Sequence, residues 1–322
     1  MLPVAVDVMG GDRAPDEILA GAHRAAEAGV PVVLVGPGDL AGAGSLPLLE
    51  ASEVIAMDED PAQAVRRKKD STLVRAAEAV RDGRASAMVS AGNTGAAMAA
   101  ALLRMGRLKG VSRPAIATPI PVPGHVPNVL LDAGANAEVQ PNWLVQFARM
   151  GSIYARHRFD VATPRVGLLS IGEEPGKGDS LRKETFELLA TADGIDFVGN
   201  VEGRDLMRKT ADVIVTDGFT GNVALKALEG GMRTLFAALL EAFGADPALR
   251  VHADALMPAL LPLHAEMSPD TYGGAVLLGV DGVCIISHGS SGATAMHHAI
   301  TLGHEMAERG VVAEIAAAFA AA

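Results

Sequence analysis

Leu168-Leu-Ser-Ile-Gly-Glu-Glu-Pro-Gly-Lys-Gly-Asp-Ser180 is the stretch from which the fold can be read. An apolar run that starts at Val166 ends in a loop carrying Gly172, Gly176 and Gly178 with Glu173, Glu174 and Lys177, and a helix-forming segment follows. Glycines let the backbone turn so that consecutive N–H groups converge, Lys177 adds a point charge, and the next helix adds the positive end of its dipole. The loop therefore reads as an anion site. A P-loop would need Gly where Ile171 stands and Ser or Thr where Gly178 stands, so phosphate fits and a Walker nucleotide site does not.

The same motif recurs on both sides of this stretch. Val4-Ala-Val-Asp7 opens into Met9-Gly-Gly-Asp12, Ala87–Ser90 into Ala91-Gly-Asn-Thr-Gly95, and Val129–Asp132 into Ala133-Gly-Ala-Asn136. Val213–Thr216 opens into Asp217-Gly-Phe-Thr-Gly-Asn222, and Val283–Ser287 into His288-Gly-Ser-Ser-Gly292. Helical patterns lie between, such as Trp143, Phe147, Met150 and Tyr154 at spacings of four, three and four. Alternating strands and helices predict a mostly parallel sheet covered on both faces. In such sheets ligands gather at the carboxyl ends of the strands, and here at least six ends, read as sharing one edge, carry Gly with Asp, Asn, Ser, Thr or His. Gly36-Pro-Gly-Asp-Leu-Ala41 imitates a dinucleotide fingerprint, but Ala41 to Pro47 opens no helix, so the expectation is a strand leaving the sheet.

At 322 residues the chain is read as a single α/β/α catalytic domain over 1–322, with a helical apolar tip at about 223–268. Aromatic residues make up only 3% and the formal charge is −11, which argues against a nucleic-acid partner. Cys284 is the single cysteine, so no internal disulfide can form and a reducing cytoplasm is expected. Met-Leu-Pro-Val runs directly into a strand without the pattern of an export signal, and no apolar run approaches the ~20 residues needed to span a bilayer. The expectation is a soluble protein that is at most peripheral to the membrane.

Leu225, Leu228, Met232, Leu235 and Leu239 predict a long amphipathic helix from Asn222 to about Phe243. Ala255-Leu-Met-Pro-Ala-Leu-Leu-Pro-Leu263 is apolar, and Pro258 and Pro262 are expected to prevent a regular helix interior there. It reads as a pocket wall or dimer seam, or as an exposed apolar tip that meets membrane or a partner. Arg66, Arg67, Lys68, Lys69, Arg75, Arg81 and Arg84 make a local basic stretch in an acidic chain, with Arg104, Arg107, Lys109 and Arg113 as a second basic group and a solvated helix face as the plain alternative.

Covalent chemistry finds little support. His304-Glu-Met-Ala-Glu308 has Glu where a zinc protease helix needs its second His, so no metal site is expected. Gly289-Ser-Ser-Gly292 is one residue short of a nucleophile elbow, and Cys284 sits in an apolar strand pattern. What remains is positioning and electrostatic stabilisation of an anion or oxyanion by backbone N–H groups, Lys177, Asn93, Asn136 and Asn222.

Val6-Asp-Val-Met-Gly-Gly-Asp12, Ser90–Ala96, Leu130–Asn136, Ile171-Gly-Glu-Glu with Lys177-Gly, Gly199–Gly203, Thr216–Asn222 and Tyr272-Gly-Gly-Ala275 together resemble the bacterial phosphate acyltransferases, acyl-[acyl carrier protein]:phosphate transacylases. The likeness covers nearly the whole chain, in order. Departures are local: Val276 stands where proline is usual, Ser170 where asparagine is common and Thr72 where serine is common. The resemblance implies a Rossmann-like α/β/α sandwich related to phosphotransacetylases and to isocitrate and isopropylmalate dehydrogenases, and a homodimer. It implies reversible transfer of a long-chain acyl group from acyl carrier protein to inorganic phosphate, without cofactor or metal. The acyl phosphate would feed a membrane-bound glycerol-3-phosphate acyltransferase in phospholipid synthesis. The family's key lysine falls on Lys177 and its key asparagine on Asn222, with Asp7, Gly11, Asn93, Thr94, Asn136, Gly178 and His288 in strings expected to bind substrate. Rival readings are an acyl-coenzyme A phosphotransacetylase, a nicotinamide-dependent dehydrogenase, and a non-catalytic acyl or phosphate sensor.

Overall fold

Continuous apolar runs fold as strands because both faces of the sheet are covered, and every residue of Val4–Asp7, Ala87–Ser90, Val213–Val215 and Val283–Ile286 is buried. The computed structural model describes residues 1–245 and 247–320. Its strands are β1 (Val4–Asp7), β2 (Val32–Gly36), β3 (Leu48–Glu50), β4 (Ala87–Ser90), β5 (Ala115–Val122), β6 (His125–Leu131), β7 (Arg165–Leu169), β8 (Asp196–Val201), β9 (Val213–Val215), β10 (Ala275–Leu278) and β11 (Val283–Ile286). They form one sheet in the order β3-β2-β1-β4-β11-β10-β5-β6-β9-β7-β8.

The α-helices are α1 (Asp16–Glu27), α2 (Pro61–Arg67), α3 (Thr72–Arg81), α4 (Thr94–Ala100), α5 (Pro141–Phe159), α6 (Ser180–Ala190), α7 (Gly218–Ala245), α8 (Pro247–Met267), α9 (Ala293–Glu308) and α10 (Val311–Ala320). One apolar layer sits under α1, α5, α9 and α10, with Phe147 and Tyr154 fully buried. A second layer, on the opposite face, joins α2, α3, α4 and Leu225 of α7. The expected α/β/α sandwich with a mostly parallel sheet is what forms.

One expectation is overturned by the direction of the strands. β3, β2, β1, β4 and β11 run parallel, as do β6, β9, β7 and β8, but β11 is antiparallel to β10, β10 to β5, and β5 to β6. Three reversals turn the second group against the first. The glycine-rich ends of β1, β4 and β11 therefore leave one side of the sheet, and those of β6, β7 and β9 leave the other. They do not share an edge.

The prolines of α8 behave differently from expectation as well. Pro258 and Pro262 lie inside a continuous helix. Both are exposed, so the carbonyls that lose their N–H partners can be satisfied by water. The segment walls the open cleft through Leu260 and Leu263, while Leu256, Leu261 and Leu263 are exposed along it. The apolar stripe of α7 likewise buries only Leu225 fully, because the helix leaves the body after its first turns and packs on α8.

Candidate active site

At the β6, β7 and β9 end the chain is braced by Asp132. Its carboxylate accepts N–H groups from Ile116 (3.0 Å), Gly134 (3.1 Å), Ala135 (2.9 Å) and Asn136 (2.7 Å), plus the Asn136 side-chain amide (2.8 Å). The Asn136 amide also donates to the Pro114 carbonyl at 2.8 Å, so both its hydrogens are used inside the protein. α7 starts against this loop, and a Cβ on Gly221 would lie 1.9 Å from the Asp132 carbonyl oxygen, a distance only glycine permits. Close approach of the two backbones brings Asn222 beside Gly134. Asn222 is exposed in the second turn of α7, and among the described residues its amide makes no hydrogen bond. It is no helix cap; Asp217 fills that role by accepting the Thr220 N–H at 2.8 Å.

The Lys177 loop stands at the same end. Asp179 caps α6 by accepting the Arg182 N–H at 2.9 Å, and Ser170 Oγ donates to the Lys177 carbonyl at 3.2 Å. Gly178, at φ +103°, makes the turn between them. Arg182 joins α6 to α7 through an ion pair with Asp217 and a contact to Thr220 Oγ1 at 3.2 Å. Burial raises the Asp217 carboxyl, but the Thr220 hydrogen bonds and the Arg182 charge outweigh it and hold it below the usual carboxylate range. Lys177 itself is exposed and lines neither of the cavities described below.

At the β1, β4 and β11 end the loops lie backbone to backbone. Gly11, at φ +107°, fits between the carbonyls of Ala91 and Gly289, and the Asp12 N–H donates to Gly289 at 2.8 Å. Asp7 is buried beneath them and accepts the Ser90 hydroxyl at 2.7 Å. Burial pushes its carboxyl up, against hydrogen bonds from Thr72, Ser90 and the Met9 and Gly10 backbone. Asn93 caps α4, accepting from Ala96 at 3.0 Å and donating to the Met57 and Glu59 carbonyls at 3.0 and 3.2 Å. Asp7, Asn93 and Asn136 are thus held by internal bonds.

α7 joins the two ends. It carries Asn222, Lys226 and Glu229 at i, i+4 and i+7, one stripe of a helix, and its second and third turns reach His288 beyond β11. Beneath it lies a crevice of about 130 Å³ lined by Thr94, Asn222, Lys226, Glu229, Ser287 and His288, with β5 as its floor. Thr94 and His288 from one end thereby face Asn222 from the other. The crevice borders an open cleft of about 1180 Å³, with Lys226, Glu229, Met232 and His288 in the walls of both. One side of that cleft is apolar, from Leu235, Phe236 and Leu239 of α7 and Leu260 and Leu263 of α8. The other carries Arg13, Glu17, Arg24 and the start of α9, whose first N–H is already taken by Glu17 at 2.6 Å.

Glu229, Lys226, Arg182 and Asp132 are not among the residues selected from sequence. Glu229 and Lys226 are recoverable from their spacing to Asn222, whereas Arg182 lies outside every glycine loop. Cys284 is fully buried, and burial pushes its thiol up to about 12, which makes it a packing residue. Among the described residues no group of three or more His, Cys, Asp or Glu side chains is arranged to hold a metal ion.

In this three-layer fold an apolar cleft opens onto a small polar crevice. Solved structures agree on the fold. A branched-chain phosphotransacylase from Enterococcus faecalis V583 superposes with a TM-score of 0.63 at 16% identity, over 95% of this chain and 99% of that one. A putative 4-hydroxythreonine-4-phosphate dehydrogenase from Salmonella typhimurium gives 0.54 at 13% identity, over 95% and 99%. In sequence, the profile of the fatty acid synthesis protein family matches residues 2–314. The phosphate acyltransferase of Desulfitobacterium hafniense (strain Y51) is 48% identical over 98% of this chain and 96% of its own, and that of Bacillus pumilus (strain SAFR-032) 44% over 97% and 96%. The chain belongs to this family, and it is an acyltransferase.

Proposed function

We propose that this protein transfers a long-chain fatty acyl group from acyl carrier protein to inorganic phosphate, giving acyl phosphate and the free carrier thiol. The observation that carries the reading is the cleft: an open trough of about 1180 Å³ with one apolar side, bordering a crevice where Asn222 offers an unbonded amide. Phosphate attacks the thioester carbonyl directly, and Asn222 steadies the oxyanion that develops. Lys177, exposed on the loop after β7, the neighbour of β9 in the sheet, holds the phosphate charge.

Most of the basic stretch is neutralised within the fold, as Lys68 pairs with Glu59, Arg75 with Asp70, and Arg81 and Arg84 with Asp82. Arg66, Arg67 and Lys69 are exposed, and among the described residues they form no ion pair; α2, which carries the first two, packs on α4 beside Thr94. These three favour docking of an acidic carrier protein over a purely solvated face. Among the described residues no helix is long and apolar enough to cross a membrane, and the exposed leucines of α8 support contact with a bilayer surface or with a second copy in a homodimer.

One assay tests the reading. The protein is mixed with phosphate and either palmitoyl carrier protein or palmitoyl-coenzyme A, and free thiol is followed at low and moderate salt. Thiol release from the carrier protein, weakening as salt rises, is expected; release from coenzyme A alone assigns a phosphotransacetylase, and binding without release assigns a sensor.

A further inference from the structure

Glu229 is charged and only a tenth exposed, yet it stands in the wall shared by crevice and cleft. Its Oε2 accepts the Lys226 ammonium at 2.8 Å. Its Oε1, out of contact with solvent, makes no hydrogen bond in this geometry and lies 3.4 Å from Nε2 of His288. Isolating a carboxylate there is costly unless it has a cation to hold. Lys226 alone would leave one oxygen unused, and the group placed to use it is the imidazole. With Nε2 facing the carboxylate, Nδ1 is the nitrogen left for a substrate, and among the described residues it has no partner. His288 is itself 40% exposed and lines both cavities.

We infer that His288 carries a proton in acyl transfer, taking it from hydrogen phosphate and giving it to the departing thiolate, and that Glu229 is the positioning residue that holds the imidazole for this task. The inference rests on the acyl-transfer reading and adds what that reading lacks. When a phosphate oxygen attacks the thioester, the O–C bond forms, the C–S bond breaks and the sulfur leaves with the electron pair. Hydrogen phosphate enters with one proton and acyl phosphate leaves without it, while the thiolate needs one. Nothing is oxidised or reduced. A single imidazole that faces both reactants through Nδ1 closes that balance, and the Glu229 carboxylate stabilises the imidazolium formed in between.

Glu229 is the charged group in contact with the imidazole, Lys226 of α7, Arg13 of the loop after β1 and Glu17 of α1 line the same cleft, and Asp12 stands against the neighbouring Gly289. The test is the pH dependence of kcat for thiol release from palmitoyl carrier protein at saturating phosphate. The position of a pH limb does not depend on how much variant protein folds. Inorganic phosphate ionises near neutral pH and contributes a limb common to every variant, and wild type should show a further limb that belongs to His288. His288→Gln should abolish it and lower kcat by about 100-fold. Glu229→Gln should move that further limb to lower pH, since removing the carboxylate disfavours the imidazolium, with KM for phosphate changed less than about twofold. A His288→Gln profile that superposes on wild type, or a Glu229→Gln profile that does, overturns the inference. If wild type releases no thiol from any long-chain thioester, the acyl-transfer reading falls first.

Discussion

Three asparagines at strand ends look alike in the sequence and do different work. Asn93 and Asn136 spend their amides on the protein, and Asn222 does not. Asn136→Ala should therefore cost about 2 kcal/mol of stability in a denaturant titration, from two lost hydrogen bonds inside the Asp132 brace. Asn222→Ala and Lys177→Ala, at exposed positions, should stay within about 0.5 kcal/mol of the parent while lowering turnover about 100-fold. Unchanged turnover in either would remove that residue from the site. The distinction is illegible from one sequence, because a short polar side chain next to glycine serves a loop and a ligand equally well. What decides it is whether a carbonyl such as that of Pro114 lies within reach, and residue 114 is distant in the chain.

Elements divide in the same way between those the sequence announces and those it hides. Fully buried strands such as β1, β4 and β11 stand out as apolar runs followed by glycine. β5 does not, since Pro119 and Pro121 interrupt it in a central position. The Ile116 N–H and carbonyl both point toward the β6 side, so positions 119 and 121 face the other way, beyond Ala117, the last residue that β10 pairs. Proline is tolerated there because no partner strand asks for its N–H. That gap in the ladder lies at the crevice floor. α8 hides for a related reason, its two prolines being exposed. If its leucines meet a bilayer, Leu256→Glu with Leu261→Glu should abolish co-sedimentation with anionic vesicles and leave thiol release in solution unchanged. Binding that survives both substitutions would assign those leucines to a protein interface.

For the molecule as a whole, the sandwich is legible from alternating patterns, but the opposed directions of its halves are not, because a strand reads the same either way up. The β1 end also carries a cost that only the fold reveals. Asp7 titrates at a higher pH when folded than when unfolded, so its contribution is fully present below the unfolded value of about 4 and is lost as pH rises through the folded value. Asp7→Asn should consequently raise stability by about 1 kcal/mol at pH 8, with the gain shrinking toward pH 4. A melting temperature at pH 8 equal to or below the parent's would refute this.

The sheet order has a further consequence, for synthesis. β4 needs β11 as its neighbour, and β5 needs β10, yet β10 and β11 belong to the last fifth of the chain. At roughly 5–20 residues per second, β4 leaves the ribosome roughly 10–40 s before the strand that covers it. For that interval the nascent chain presents two open, apolar strand edges at what will become its centre, so the growing chain must be shielded until its final segment arrives to close the gap.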